Sequence, residues 1–225
     1  LVTYDHRGFA RLASHNGPPP RDDRPEADNH VALLTATLGL QPVAPPPPAW
    51  AAPDNDAISA WDTLAGNGPA VALHAAARTS AKLWPVAHWR DLITMLTEQG
   101  YRPALLGARE DRALNAAIAR DVPVADWTGR FDLRETAAVI AAADALIGVD
   151  SGPGHLARAA GTPVVSLMSG TNTTARWAPD PDTALHVPVA CAPCHRTTCP
   201  VAGHPCLRDL TPSAVLSRLV EIERR

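Results

Sequence analysis

From Gly66 onward the chain alternates short apolar runs with stretches of helical periodicity, and that alternation leaves few architectures open. Ala70-Val71-Ala72-Leu73, Ala104-Leu105-Leu106, Ala145-Leu146-Ile147-Gly148-Val149 and Thr162-Pro163-Val164-Val165-Ser166-Leu167 read as strands. They are mostly apolar rather than alternating, as strands buried on both faces are. Between the first two, Trp89, Leu92, Ile93 and Leu96 recur at helical spacing, with Pro85 in the first turn and Gly100 closing the helix. Glu110 to Arg120 predicts a further helix, and Asp132 with Glu135 forms a capping box that opens another through Ala142. The last helix runs from Thr211, an N-cap followed by Pro212, to Glu223. Strands that alternate with helices pair in parallel through crossovers. The expected fold is therefore α/β, a Rossmann-like doubly wound parallel sheet covered on both faces.

The first part of the chain has a different texture. Pro18-Pro19-Pro20 and Pro45-Pro46-Pro47-Pro48 bracket one plausible helix, His30 to Leu38, ended by Gly39. Proline runs favour extended polyproline II and act as semi-rigid spacers. Residues 1–55 accordingly read as the tail of a preceding domain plus a Pro-rich linker, and residues 56–225 as the α/β domain, entered through a helix from Ile58 to Leu64. The opening Leu1-Val2-Thr3-Tyr4 lacks an initiator Met and resembles the end of a strand, which suggests a truncated chain. A formal net charge of −3 gives no electrostatic reason to expect nucleic acid as a partner. No apolar stretch approaches the roughly 20 residues of a membrane helix, and no signal-peptide pattern opens the chain. All four cysteines crowd between Cys191 and Cys206, unlike a disulfide framework, so a reducing, cytoplasmic setting is expected.

In an open parallel sheet, ligands sit in the crevice beyond the carboxyl ends of the strands. The most informative such end is Asp150-Ser151-Gly152-Pro153-Gly154-His155, directly after the strand Ala145 to Val149. Asp150 leaves the sheet as a carboxylate, the glycines allow close backbone approach, and the helix that begins there offers free N–H groups and a positive dipole end to a phosphate. A plain strand-to-helix bend is the alternative. A hydrolase nucleophile elbow is excluded, because Val149 stands where its glycine is required, and no Walker lysine is present. A second loop, His74 to Pro85, follows the first strand and presents Arg78, Thr79, Ser80 and Lys82. Hydroxyls and a point positive charge suit a diphosphate, although Arg78 also fits an ordinary solvated loop. At a third strand end, Glu110 and Asp111 could accept from ribose hydroxyls or simply complement a helix dipole. The spacing Cys191-x2-Cys194-x4-Cys199-x6-Cys206 could hold a structural zinc ion, with His195 and His204 as alternative ligands; reduced thiols in a compact loop fit equally.

These segments together resemble glycosyltransferase family 9, the ADP-heptose:lipopolysaccharide heptosyltransferases. The resemblance rests on Lys82-Leu83-Trp84-Pro85 with Trp89, Leu105-Leu106-Gly107, and Gly148-Val149-Asp150-Ser151-Gly152-Pro153-Gly154-His155-Leu156. It continues through Ala160-Gly161-Thr162-Pro163-Val164-Val165, Trp177-Ala178-Pro179 and the cysteine segment. It implies GT-B architecture, with this chain as the C-terminal, donor-binding half and residues 1–55 as the remnant of an N-terminal acceptor domain. It also implies inverting, metal-independent transfer of a sugar, heptose from ADP-heptose, to a lipid A–Kdo acceptor of the lipopolysaccharide core, in the cytoplasm at the inner face of the inner membrane. No cofactor is implied for catalysis.

By that resemblance Thr79, Ser80 and Lys82 bind the diphosphate, Glu110 or Asp111 the ribose, and Phe131 or Arg130 lies near the adenine. Asp150 meets sugar hydroxyls, while Ser151, Gly152, Pro153, Gly154 and His155 line phosphate and sugar. Ala76-Ala77 departs from members that carry hydroxyls there. The family's acidic catalytic base lies in the N-terminal domain, so the chain is expected to bind donor without completing transfer. The competing readings are another nucleotide-sugar enzyme of GT-B architecture, such as an epimerase or a transferase with a different donor, and a zinc-stabilised binding module without chemistry.

Overall fold

The computed structural model describes residues 2–4, 15–40, 55–64 and 66–224. Two short strands, β1 (Val2–Tyr4) and β2 (His15–Gly17), pair in parallel as a small sheet, and helix α1 (Glu26–Leu38) packs beside them. The helix begins earlier than its apolar pattern predicts, because Pro25 caps it and the buried Asn29 ties it back to the preceding turn. Asn29 Nδ2 donates to the Arg21 carbonyl at 2.8 Å and its Oδ1 accepts from the Arg21 N–H at 2.9 Å. Gly39, in the left-handed conformation that glycine tolerates, ends the helix as expected. The proline run Pro45–Pro48 lies outside the described residues.

The main domain opens with α2 (Asn55–Asp62) and builds a six-stranded sheet. Its strands are β3 (Ala70–His74), β4 (Arg102–Leu106), β5 (Ala125–Asp126), β6 (Ala145–Val149), β7 (Val164–Met168) and β8 (Leu185–His186). The order across the sheet is β5-β4-β3-β6-β7-β8, and every pairing is parallel. This is the doubly wound arrangement the alternating pattern predicts, and the strand order reverses between β3 and β6. The connections supply α3 (Val86–Glu98), α4 (Arg112–Ala119), α5 (Leu133–Ala141), α6 (Gly152–Ala160) and α7 (Thr174–Trp177), followed by α8 (Pro205–Arg208) and α9 (Pro212–Glu223).

Two hydrophobic layers flank the sheet. On one side Trp89, Leu92, Ile93 and Leu96 of α3 pack with Val215 and Leu219 of α9 against Val71, Leu73, Leu105 and Ile147. On the other, Ala57, Ala60 and Trp61 of α2 meet Ala138, Val139 and Ile140 of α5 over Ala72, Leu106 and Leu146. The strands start in register through a carboxylate clip, in which Asp144 Oδ2 accepts the Ala70 N–H at 2.7 Å while the Asp144 N–H donates to the Ala70 carbonyl at 2.9 Å. Gly68 is required at the same edge, since a Cβ there would lie 1.7 Å from the Gly100 carbonyl oxygen. The predicted capping box is present: the Asp132 N–H donates to Glu135 Oε2 at 2.7 Å, and the Glu135 N–H to Asp132 Oδ1 at 2.8 Å.

The single helix expected from Glu110 to Arg120 is divided. Arg109–Asp111 forms a 3-10 turn and the α-helix begins at Arg112, because Asp111 Oδ2 turns back to accept the Ala108 N–H at 2.8 Å. The N-terminal unit is anchored near α7: Arg176 donates to Glu26 Oε2 at 2.6 Å and to Asp22 Oδ1 at 2.8 Å.

Candidate functional site

Reversal of strand order opens a crevice between the carboxyl ends of β3 and β6, where ligands bind in sheets of this kind. Both loops singled out in the sequence arrive there. After β3 the chain makes a 3-10 turn, Ser80–Lys82, and then drives Trp84 into the core, where its indole N–H donates to the Leu210 carbonyl at 2.9 Å. That anchor brings Lys82 across the crevice, and its Nζ lies 2.6 Å from Asp150 Oδ2 in the loop after β6. The carboxylate is 8% exposed and the Lys82 side chain 23%, so the pair is desolvated on the Asp150 side and reachable on the Lys82 side. Asn172, in the loop after β7, donates to the same Asp150 oxygen at 2.9 Å.

Thr79 Oγ1 is buried and has no hydrogen-bond partner among the described residues, a need that an incoming acceptor or donor would satisfy. The Ser80 hydroxyl turns to the Thr197 carbonyl at 3.3 Å and to Thr198 Oγ1 at 3.4 Å. The Ala81 N–H also donates to the Thr197 carbonyl at 3.0 Å, so the loop is braced by the cysteine-bearing segment.

Ser151 is the N-cap residue of α6, yet its side chain makes no capping hydrogen bond. Its hydroxyl instead donates to the Val149 carbonyl at 3.1 Å and lies 3.1 Å from His74 Nδ1. The first turn of α6 therefore keeps its N–H groups uncapped by Ser151. Gly152 borders open space, whereas Gly154 answers a packing need, since a Cβ there would sit 2.8 Å from Pro179 Cγ. Pro153 occupies the first turn, where its missing N–H costs nothing, and His155 is exposed beside it. His74 and Asn172 were not among the sequence candidates. Their signal was position alone, at or just beyond the carboxyl end of a strand.

The third strand end holds Glu110, exposed, and Asp111, which is committed to the Ala108 N–H. Nearby, Asn115 Nδ2 donates to Thr128 Oγ1 at 2.7 Å, and the Thr128 N–H donates to Asp126 Oδ1 at 3.0 Å. Phe131 stands edge-on to Trp127 with centroids 5.8 Å apart, and the Arg130 guanidinium lies 5.1 Å from the Phe131 ring. Both expected adenine contacts are thus in one stack, with Arg130 the exposed member.

Burial pushes the His74 imidazole down from 6.5 to about 4, with the Asp111 carboxylate opposing the shift. The unfolded chain then binds a proton at His74 that the folded chain refuses between these values. The stability associated with neutral His74 is complete above pH 6.5 and is lost as pH falls to about 4. The loss is on the order of 3 kcal/mol. Urea unfolding at pH 7 and pH 4.5 should show a larger acid loss for the parent chain than for His74→Asn. Equal losses would refute this.

The family model described as glycosyltransferase family 9 (heptosyltransferase) matches residues 3–204. The chain belongs to glycosyltransferase family 9. Among curated family 9 relatives, lipopolysaccharide heptosyltransferase 1 of Pseudomonas aeruginosa is 35% identical over 120 residues, covering 52% of this chain and 34% of that protein. The chain spans about a third of the length of the curated relatives it matches first, 34% and 32%. A solved family 9 glycosyltransferase from Veillonella parvula superposes with TM-score 0.73 at 16% identity, covering 98% of this chain and 67% of that one. The dodecameric iron-containing heptosyltransferase TibC, in complex with ADP-D-beta-D-heptose, superposes with TM-score 0.62 at 22% identity, covering 87% and 54%. TibC comes from enterotoxigenic E. coli. These likenesses show the GT-B-type fold. Among the described residues no helix is long and apolar enough to cross a membrane.

The cysteines of this family 9 chain border a single cavity of about 240 Å³ that Cys191, Cys194, Cys199 and Cys206 line with Arg196 and His204. The donor types suit zinc or iron, but the placement does not. Among the described residues no group of three or more His, Cys, Asp or Glu side chains is placed to hold a metal ion. Cys191 is exposed while Cys206 is buried, so the four thiols differ in their access to solvent. The four-thiolate centre, one of the two readings of this spacing, is not assembled among the described residues.

Proposed function

We propose that this chain carries the donor-binding half of a glycosyltransferase that takes a sugar from a nucleoside diphosphate, ADP-heptose, and transfers it with inversion to the lipopolysaccharide inner core. The observation that carries the reading is the Lys82–Asp150 pair, which joins the two loops at the point where strand order reverses. Lys82 supplies the positive charge for the diphosphate, and the uncapped N-terminus of α6 and the unpartnered Thr79 hydroxyl add neutral donors to it. The charge that builds on the departing diphosphate is met by these fixed groups rather than by a metal ion. Asp150, with oxygens only to offer, suits the hydroxyls of the sugar. Glu110 and Arg130 stand at the third strand end, where the nucleoside would extend. A lipid A–Kdo acceptor would place the reaction at the cytoplasmic face of the inner membrane.

Thermal unfolding with ADP, UDP and GDP in parallel tests this. ADP at about 100 times its dissociation constant should stabilise the fold by about 2.7 kcal/mol, a rise of about 5–10 °C for a domain of this size. A preference for UDP would defeat the ADP-heptose assignment. No response to any of the three would defeat the donor reading altogether.

A further inference from the structure

A serine at the N-cap of a helix ordinarily turns its hydroxyl back onto an N–H of the first turn. Ser151 does not, although it holds the N-cap position of α6 in extended conformation. Pro153 removes one possible donor, so the nearest capping partner is the N–H of Gly154. The Ser151 hydroxyl has one proton, and it goes to the Val149 carbonyl at 3.1 Å. In the Nδ1–H tautomer the imidazole of His74 donates to the same serine oxygen at 3.1 Å. Both bonds turn the hydroxyl toward the sheet. His74 itself is fixed as the last residue of β3, next to Gly148, where a Cβ would lie 3.5 Å from His74 Cβ.

We propose that His74 is a positioning residue that draws the Ser151 hydroxyl away from the N-terminus of α6, keeping that helix's first N–H groups free for the donor diphosphate. The proposal rests on the donor reading above. Without His74, the hydroxyl would fall back to the role serine prefers and cap Gly154, so the protein would occupy its own anion site. The consequence is an unusual pattern of epistasis. His74→Ala should weaken binding, and the additional removal of the Ser151 hydroxyl should restore it, because alanine cannot cap.

Calorimetric titration of the full chain with ADP reads this directly. His74→Ala should bind about five-fold more weakly than the parent, the fold-change that a typical serine cap is worth. Ser151→Ala sets the reference for any contact the hydroxyl itself makes with the ligand, and the double variant His74→Ala/Ser151→Ala should bind within about two-fold of it. His74→Asn, whose amide can still donate to Ser151, should also bind like the parent and guards against loss through misfolding. In the ligand-free chain, amide hydrogen exchange at Gly154 should slow about five-fold in His74→Ala and not in the double variant. A double variant as weak as or weaker than His74→Ala, or unchanged Gly154 exchange in His74→Ala, would overturn the proposal. A parent chain that does not bind ADP would overturn the donor reading alone, with the exchange comparison still deciding the role of His74.

Discussion

Lys82→Met is expected to cut the thermal response to ADP to about half or less and to lower stability by about 3 kcal/mol at once. The two effects have separate causes. Affinity falls because a charge-assisted contact worth about 1.5–3 kcal/mol is lost, which is about ten-fold to a hundred-fold in dissociation constant. Stability falls because Asp150, 8% exposed, keeps only the Asn172 amide among the described side chains when the ammonium 2.6 Å away is gone. Removing one partner of a buried pair costs about 3–5 kcal/mol, and the 23% exposure of Lys82 places this case at the low end. Asp150→Asn should act in the opposite sense on the nucleotide. In the ligand-free protein Asp150 engages the cation that the diphosphate needs, so removing its charge should leave ADP binding equal or tighter. The same change should weaken ADP-sugar binding, since the sugar loses its carboxylate. Calorimetry with ADP and with an ADP-sugar separates the two. Equal losses for both ligands would show that Asp150 does not discriminate the sugar.

Trp84→Ala should cost about 3–5 kcal/mol and lower the melting temperature by about 10 °C. Trp84 is 1% exposed, stands edge-on to Trp89 with ring centroids 5.0 Å apart, and donates its indole N–H to the Leu210 carbonyl. Trp84→Phe keeps most of the contact area but leaves that carbonyl unpaired, so a loss of about 1–3 kcal/mol is expected. Denaturant unfolding of the two variants should rank them in this order, and ADP affinity of the folded Trp84→Phe protein should stay near the parent value. Comparable damage from both would show that the hydrogen bond, rather than the indole volume, holds the segment.

Much of the sheet was legible because its strands are buried on both faces and therefore announce themselves as apolar runs. The run Ala145–Val149 coincides with β6 residue for residue, and all five positions are buried. The capping box at Asp132 and the Thr211-Pro212 start were readable for a different reason, since their chemistry is local. The edge strands β5 and β8 were not predicted, because two residues cannot show a period. The site divides the same way. The loops around Lys82 and Asp150 could be located from the strand ends, but their pairing is a tertiary fact. His74 and Asn172 were invisible because their partners lie 77 and 22 residues away, and an isolated histidine or asparagine in a loop carries no signature. The contacts of the Ser80 hydroxyl were hidden for the same reason, its partners lying 117 and 118 residues downstream.

Lys82 and Trp84 stand two positions apart, one reaching across the crevice and the other wedged beneath the last helical segments, with Leu83 extended between them. The interval behaves like a fixed gauge. Inserting or deleting even one residue between these two would move either the cation out of reach or the indole out of its socket. The length of that interval is a constraint which drift in this loop has to respect.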